Sequence, residues 1–93
     1  MTLLLKDPEA TLDYSIDWGA QYLSDDCLVD SKWRVEPQEA GGLTVMGSQF
    51  DAKVATAQVA GGLLGHVYRL SNHVVTLSGH EDRRSVTLRL DKR

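Results

Sequence analysis

The sequence has 93 residues, of which 42% are hydrophobic and 25% are charged, and its formal net charge is −3. A chain of this length forms one domain, and this composition is typical of a folded globular protein rather than a disordered one. The acidic balance excludes a general electrostatic attraction to nucleic acid or anionic lipid. Because Cys27 is the only cysteine, an internal disulfide and a cysteine-based metal cage are both excluded.

The N-terminal segment MTLLLK contains Leu3, Leu4 and Leu5, but it has no basic leader and is too short for a signal or a membrane span. We therefore expect the protein to fold in a cytoplasm. Pro8 follows and lacks the backbone donor that a central strand needs. Residues 1–11 are predicted to form an extended arm containing a short strand, whose leucines either pack back on the domain or insert into a neighbour.

Residues 12–18 alternate between apolar and polar side chains, which predicts a strand. Leu12, Tyr14, Ile16 and Trp18 share the apolar side of this strand. The next residues, 19–26, are too short and too polar for a stable helix, so we predict a single helical turn or a loop.

A second strand is predicted over residues 27–36, with Cys27, Val29, Trp33 and Val35 facing inward together with Ser31. In this position Cys27 is interpreted as a small buried hydrophobe rather than a reactive nucleophile.

The middle of the chain predicts two shorter strands. Residues 43–46 form a brief apolar run that ends in a turn at 47–51. Residues 54–59 resume the alternation with the small residues Ala55 and Ala57 on one face and Val54, Thr56 and Gln58 on the other, which is typical of a thin or edge strand.

The last third of the chain, residues 65–90, predicts a long hairpin that the other strands must cover. Tyr68, Leu70, Val74 and Thr76 share one parity in its first strand, and Val86, Leu88 and Leu90 share one parity in its second strand, across a polar turn at 78–82. A hairpin with one apolar face requires a facing layer. The outward positions include Arg69, Arg83, Ser85, Thr87 and Arg89.

This order of six to seven short strands with almost no helical periodicity predicts an all-β fold. We predict an immunoglobulin-like antiparallel β-sandwich over residues 12–93, preceded by the N-terminal arm. Trp18 and Trp33 are expected in its core.

Two sequence patterns suggest ligand binding, but the residues around each of them do not fit such a site. The glycine-rich run 61–65 is followed neither by a suitable lysine or serine nor by a helix, as a phosphate-binding loop requires. His66, His73 and His80 are seven residues apart, and an odd spacing on strands reverses the side-chain direction. We therefore predict no metal site and no cofactor.

The carboxylates and hydroxyls do not form a recognisable catalytic motif. Asp13 and Asp17 lie about 13 Å apart on one strand, which is too far for a single ion to bridge. Asp25 and Asp26 fit a solvated turn better than a weak calcium site with Asp51. Because no nucleophile elbow accompanies the serines, we predict that the protein is not an enzyme.

Basic side chains are concentrated in the C-terminal third of the chain. No aromatic residues for base stacking are interleaved with them, so the stripe fits an acidic partner protein better than nucleic acid. Its members are Arg69, Arg83, Arg84, Arg89, Lys92 and Arg93.

Several of these stretches resemble a family of small virion proteins of tailed bacteriophages and prophages. The resemblance extends from about Lys6 to Arg89, and its most distinctive part is the Asp-Tyr-x-x-Asp-Trp stretch at 13–18. It implies a compact immunoglobulin-like component that links fibre or neck parts to the tail or head, with no catalytic residue. The matching stretches are Lys6-Asp7-Pro8, residues 12–18, Trp33, the glycine pair Gly61-Gly62 before Gly65-His66-Val67-Tyr68, then Asn72, Thr76, Gly79 and residues 84–88.

The sequence and the resemblance together predict a non-enzymatic virion component, assembled in the host cytoplasm, that joins neck, tail or fibre parts by protein–protein contacts. Its expected partners are neck, tail, portal-proximal, fibre or capsid subunits, in a symmetric homo-oligomeric array without nucleic acid or membrane. One alternative is a capsid or tail-tube decoration protein. Another is a host-binding or carbohydrate-binding module, which needs exposed loop aromatics. The only predicted loop aromatics are Tyr22 and Phe50, and this small number argues against it.

The predicted mechanism is docking, in which the arm and an edge strand bury apolar surface against a neighbour and charged loops set the register. The candidate contact residues are Leu3, Leu4, Leu5, Arg69, Arg83 and Arg89.

Overall fold

The computed structural model describes residues 2–19 and 26–92, which form seven strands in two facing sheets. One sheet has four strands in the order β1-β7-β6-β3, and the other has three in the order β2-β5-β4. The predicted all-β sandwich is therefore confirmed, while the helical turn or loop predicted over residues 19–26 lies largely outside the described residues. The strands are β1 (Thr2–Lys6), β2 (Thr11–Asp17), β3 (Leu28–Glu36), β4 (Leu43–Phe50), β5 (Val54–Gly61), β6 (Val67–Thr76) and β7 (Glu81–Leu90).

The first strand belongs to the sandwich. β1 pairs with β7 in parallel, with Leu4 opposite Leu88, whereas the other neighbouring strands are antiparallel. In this structure Leu4 therefore packs against the core of the domain, whereas Leu3 and Leu5 remain exposed. Lys6 is buried at the end of β1, and its Nζ donates hydrogen bonds to the main-chain oxygens of Asp7 and Gly61, each at 2.9 Å. Since Gly61 is the last residue of β5, Lys6 links β1, at the edge of the four-stranded sheet, to the three-stranded sheet.

The long hairpin of β6 and β7 supplies most of the inner surface of the four-stranded sheet. β6 and β7 pair along nearly their whole length, with Leu70 opposite Val86 and Tyr68 opposite Leu88. Leu43 and Val59 of the three-stranded sheet pack against these side chains. A second cluster fills the other end of the sandwich, and its members are Ile16, Trp18, Leu28, Ala55 and Val74.

β5 is the central strand of its sheet, so the prediction of a thin or edge strand at 54–59 is wrong. Ala55 and Ala57 are fully buried. Small side chains here leave room for the rings of Tyr14 and Trp33, which meet edge to face with centroids 6.3 Å apart. The alanines therefore reflect large neighbours rather than an exposed position.

At two β-bulges the side chains point in directions that strict alternation does not predict. A register shift between Leu28 and Asp30 buries Leu28 and exposes Val29, so the predicted inward position of Val29 is wrong. In β4 a second shift lies between Val45 and Gly47. The strand continues past this shift to Phe50, where the sequence predicted a turn from residue 47.

A buried polar pair joins the two sheets. Trp18 follows β2 and is fully buried, and its Nε1 donates a 2.9 Å hydrogen bond to Oδ1 of Asn72 on β6. The Asn72 amide nitrogen donates in turn to Ser31 Oγ at 2.9 Å and to the Lys32 oxygen at 3.1 Å. A buried polar group without such partners would carry its full desolvation cost, so this network fixes how the sheets are placed on each other.

We expect Trp18→Phe to lower the free energy of unfolding by about 2–3 kcal/mol, because it removes buried volume and leaves Asn72 Oδ1 without its donor. Trp33→Phe is the matched control, since Nε1 of Trp33 is buried without a hydrogen-bond partner within the described residues. It should cost about 1 kcal/mol or less. Urea denaturation of both variants measures the difference, and equal losses would contradict the role of the indole N–H.

The turn between β6 and β7 is held by Asp26. The Asp26 carboxylate accepts a hydrogen bond from the Ser78 hydroxyl, and it also accepts from the main-chain N–H of Ser78 at 3.2 Å and of Cys27 at 2.9 Å. The side-chain hydrogen bonds from Ser78 and then Thr76 lower the pKa of Asp26 from 3.8 to about 2. The carboxylate form is thus the one that stabilises this end of the fold.

Because the pKa of Asp26 is lower in the folded than in the unfolded state, its contribution is complete above about pH 4 and is lost as the pH falls towards 2. We expect Asp26→Asn to lower the melting temperature at pH 7, and the difference from wild type to shrink between pH 4 and pH 2. Asp13→Asn, which removes an exposed carboxylate from β2, is the control. Thermal melts over this pH range test the prediction, which fails when the two variants behave alike.

Candidate docking surface

The outer side of the four-stranded sheet is built from alternate positions of β1, β7, β6 and β3. Side chains of opposite parity point into the sandwich, so these positions lie on the solvent side of the sheet, where Ser71 is covered by its neighbours. We call this surface the arginine face. Its cross-strand rows are Leu5, Arg89 and Val67; Leu3, Thr87, Arg69 and Glu36; Ser85, Ser71 and Arg34; and Arg83, His73 and Lys32.

The arginine face is basic although the whole chain is acidic. It carries five cationic side chains, which are Lys32, Arg34, Arg69, Arg83 and Arg89. Among the described residues, Arg69, Arg83 and Arg89 form no salt bridge, whereas Arg34 lies 3.8 Å from Glu36. The outer side of the three-stranded sheet has no basic side chain on its strands. The two faces of the sandwich therefore differ in the sign of their charge.

One corner of the arginine face is apolar. Leu3, Leu5 and Val67 are 59%, 45% and 51% exposed, and they flank Arg89 on three adjacent strands. The loop before β6 adds exposed Leu64 at the same end, where Gly65 N donates to the Leu90 oxygen at 2.7 Å. Exposed apolar side chains grouped beside arginines are typical of a protein interface.

A shallow depression of about 220 Å³ lies near the middle of the arginine face. Ser71 forms its floor and is buried, with its hydroxyl 2.8 Å from that of Ser85. Small side chains in the middle rows and long cations around them produce this concave shape. The lining residues are Lys32, Trp33, Arg34, Glu36, Ser71, His73 and Arg83.

The structure brings five of the six predicted contact residues onto this one face. Leu4 is the exception, because it points inward and packs against the core. Of the remaining predicted basic stripe, Arg84 points inward and lies over the Trp18 ring at 4.8 Å. Arg93 lies outside the described residues.

Sequence reasoning missed Lys32, Arg34 and Val67 as members of the same surface. The alternation of β3 placed Lys32 and Arg34 outward, but it gave no sign that β3 is the neighbour of β6. That adjacency is a tertiary property, and the cross-strand register of β3 and β6 is what joins the two cations to Arg69.

The three histidines are separated in the structure. His66 Nδ1 lies 2.9 Å from Glu39, His73 Nε2 lies 3.1 Å from Glu81, and His80 Nδ1 lies 3.9 Å from Asp26. In the described ranges, no group of three His, Cys, Asp or Glu side chains could hold a metal ion.

Each end of the sandwich has a polar cluster with a structural role. The Tyr68 hydroxyl donates to Glu39 at 2.5 Å and accepts from Leu63 N at 3.1 Å. The hydrogen bond from the Tyr68 hydroxyl, followed by the hydrogen bond with His66, lowers the pKa of Glu39. Burial of the Tyr68 hydroxyl, followed by its hydrogen bond to Glu39, raises the pKa of Tyr68. The cluster therefore ties the loop after β3 to the loop before β6.

The cluster of Asp26, Ser78 and His80 contains the residue types of a hydrolytic triad in a different arrangement. In a triad the histidine lies between the serine and the carboxylate, so that it can accept the hydroxyl proton. Here the Ser78 hydroxyl donates its hydrogen bond directly to the Asp26 carboxylate. His80 Nδ1 lies 3.4 Å from that hydroxyl and is not placed between the two groups. This geometry caps a turn and does not activate a nucleophile.

Within residues 2–19 and 26–92, the structure has no helix with the length and apolar character needed to cross a membrane.

Comparison with solved structures supports the fold. The PKD domain from KIAA 1837 protein, solved in solution, is similar with a TM-score of 0.52 and 18% sequence identity, over 99% of this chain and 80% of that domain. At this identity the likeness shows the fold alone, an immunoglobulin-like β-sandwich. No curated protein matches the sequence at a significant level.

A comparison with protein families gives a match over most of the chain. Residues 6–89 match the model of gp77, the podophage GP4 fibre-tail adaptor protein. The match includes β2 to β6 entirely and all of β7 except Leu90. The chain therefore belongs to the podophage fibre-tail adaptor family of gp77.

Proposed function

We propose that the protein is a non-enzymatic structural component of the virion that joins fibre, tail or neck parts through contacts made by the arginine face. The observation that carries this proposal is the convergence of exposed Leu3 and Leu5 with Arg69, Arg83 and Arg89 on one side of one sheet. The membership in a fibre-tail adaptor family supports a structural role in a phage particle.

The arginine face has the two parts that a protein interface needs. Burying the apolar corner against another protein supplies non-directional stabilisation, at about 25 cal/mol for each Å² removed from water. Arginines then add direction, because a guanidinium forms paired hydrogen bonds with a carboxylate. The same arginines would repel a basic surface, so they also select the partner.

The partner that fits this face is a virion protein with an acidic surface beside an apolar patch. The wider proposal includes a location in the virion, assembly in the host cytoplasm and a symmetric array of copies with neck, tail, portal-proximal, fibre or capsid subunits around it. A rigid β-sandwich suits such a position, because the face keeps its shape without depending on a mobile loop.

We expect the double variant Leu3→Ser with Leu5→Ser to keep the stability of the wild type within about 0.5 kcal/mol, since both side chains are exposed. It should fail to enter particles when it complements a phage that lacks the wild-type protein. Leu4→Ser is the contrasting variant, because Leu4 packs against the core and should lower stability by about 1–2 kcal/mol. Normal incorporation of the stable double variant would overturn the proposal.

We expect Arg69→Glu combined with Arg89→Glu to abolish incorporation without unfolding the protein, because both guanidinium groups are exposed on the arginine face. Lys53→Glu is the control, with one exposed cation reversed in the β4–β5 turn. Binding of the purified wild type to tail or fibre components should also weaken as salt rises. Salt-independent binding, or equal loss with Lys53→Glu, would exclude an electrostatic contact at this face.

A further inference from the structure

Large exposed apolar side chains lie at both ends of the four-stranded sheet. Leu3, Leu5 and Val67 form the apolar corner of the arginine face, where β6 begins. Val29 and Leu77 lie where β6 ends, and they are 47% and 73% exposed. The ten residues of β6 separate the two groups by roughly 30 Å, at about 3.3 Å for each residue. The second group therefore lies outside the contact proposed for the apolar corner.

Two local features bring Val29 and Leu77 to the surface. Leu77 begins the turn after β6, and its N–H donates a 2.9 Å hydrogen bond to the Cys27 oxygen. Val29 lies at the bulge of β3, which buries Leu28 instead. Because Leu28 pairs with Thr76, both exposed side chains lie where the same two strands meet. We call Val29 and Leu77 the distal corner.

The distal corner has acidic surroundings. The segments 26–30 and 75–82 contain it, and they have four carboxylates but neither lysine nor arginine. Asp30 and Glu81 share one cross-strand row with Val75, and the next row, which belongs to the arginine face, is basic. The charge on the outer side of the sheet therefore changes sign at this end. The four carboxylates are Asp26, Asp30, Glu81 and Asp82.

These carboxylates differ in how well they can meet a partner. Asp26 holds the turn through the Ser78 hydroxyl and main-chain N–H groups. The Glu81 side chain is 62% exposed, and its contact with His73 Nε2 is 3.1 Å long. A carboxylate has about four lone-pair sites, so Glu81 can accept further hydrogen bonds. Glu81 is therefore well placed to pair with a cation of another protein.

We infer that the distal corner is a second contact surface, which binds a virion protein with basic side chains beside an apolar recess. Burial of Val29 and Leu77 supplies the non-directional attraction, and Glu81 pairs with a lysine or an arginine. An acidic surface of the kind that fits the arginine face would be repelled here, so the two surfaces select different partners. This inference rests on the proposed function, because a protein that joins two parts needs a contact for each.

The test is binding of the purified full chain to two probes, the tail fraction and the fibre fraction isolated from a phage that lacks this protein. Cosedimentation measures each binding. We expect the wild type to bind both fractions. Val29→Thr combined with Leu77→Ser should weaken binding to one fraction by about tenfold or more and leave the other unchanged. Arg69→Glu combined with Arg89→Glu should show the opposite pattern.

Met46→Ser is the matched control, since it removes a side chain that is 63% exposed on the other sheet and should leave both bindings unchanged. Glu81→Lys should weaken the same binding as the distal-corner variant, because it reverses the charge there. Glu9→Lys reverses an exposed charge in the loop between β1 and β2 and should leave that binding unchanged. Circular dichroism checks that every variant folds.

Three outcomes would overturn the inference. The first is a wild type that binds a single fraction, and the second is a distal-corner variant that binds both fractions normally or loses the one that the arginine variant loses. The third is self-association of the wild type that the distal-corner variant abolishes, because the corner then binds a second copy. An arginine variant that binds both fractions, while the distal-corner variant loses one, would contradict the proposed role of the arginine face alone.

Discussion

The hydrogen bond between Trp18 and Asn72 is the constraint on which the arrangement of the two sheets depends. The rest of the core is mostly aliphatic, and the attraction between such side chains is non-directional and tolerates sliding of one sheet over the other. The hydrogen bond from the buried Trp18 indole N–H to a single amide oxygen prevents such sliding, because a small displacement would break it. Arg84 lies over the outer side of the same ring at 4.8 Å, and this contact shields it from water. The facing strands are thereby held in one register.

The β4–β5 turn extends this constraint to the chain around it. The Lys53 oxygen accepts a 2.8 Å hydrogen bond from Trp18 N, and the Ala52 oxygen accepts one of 2.8 Å from Leu28 N. Asp51 holds the turn by accepting from the main-chain N–H of Lys53 and Val54. Hydrogen bonds to two main-chain donors lower the pKa of Asp51. One short turn therefore fixes the end of β2 and the start of β3 together.

Most of the fold could be predicted from the sequence because alternation with period two is a local property of a half-buried strand. The long hairpin and the burial of Trp18 followed directly from it. Bulges at Val29 and Met46 add a residue without changing the composition, so alternation alone could not detect them. The central position of β5 was hidden as well, since Ala55 and Ala57 are small because Tyr14 and Trp33 are large. The parallel pairing of β1 with β7 joins opposite ends of the chain, and no local pattern encodes it.

The candidate site was predictable in part for the same reason. Arg69, Arg83 and Arg89 share the outward parity of one hairpin, so the sequence alone places them on a common side. Leu3 and Leu5 join them only because β1 adds to β7, and Lys32 and Arg34 only because β3 adds to β6.

Strand order thus assembles a surface from three separate stretches of sequence, and its composition suits one kind of contact. The arginine face combines charge with exposed leucine and so discriminates among partners, which suits a contact with a different protein. The outer side of the three-stranded sheet has no basic side chain on its strands and therefore lacks this combination. The order of the strands thus places the selective surface on one side of one sheet, although its residues come from both ends and the middle of the chain.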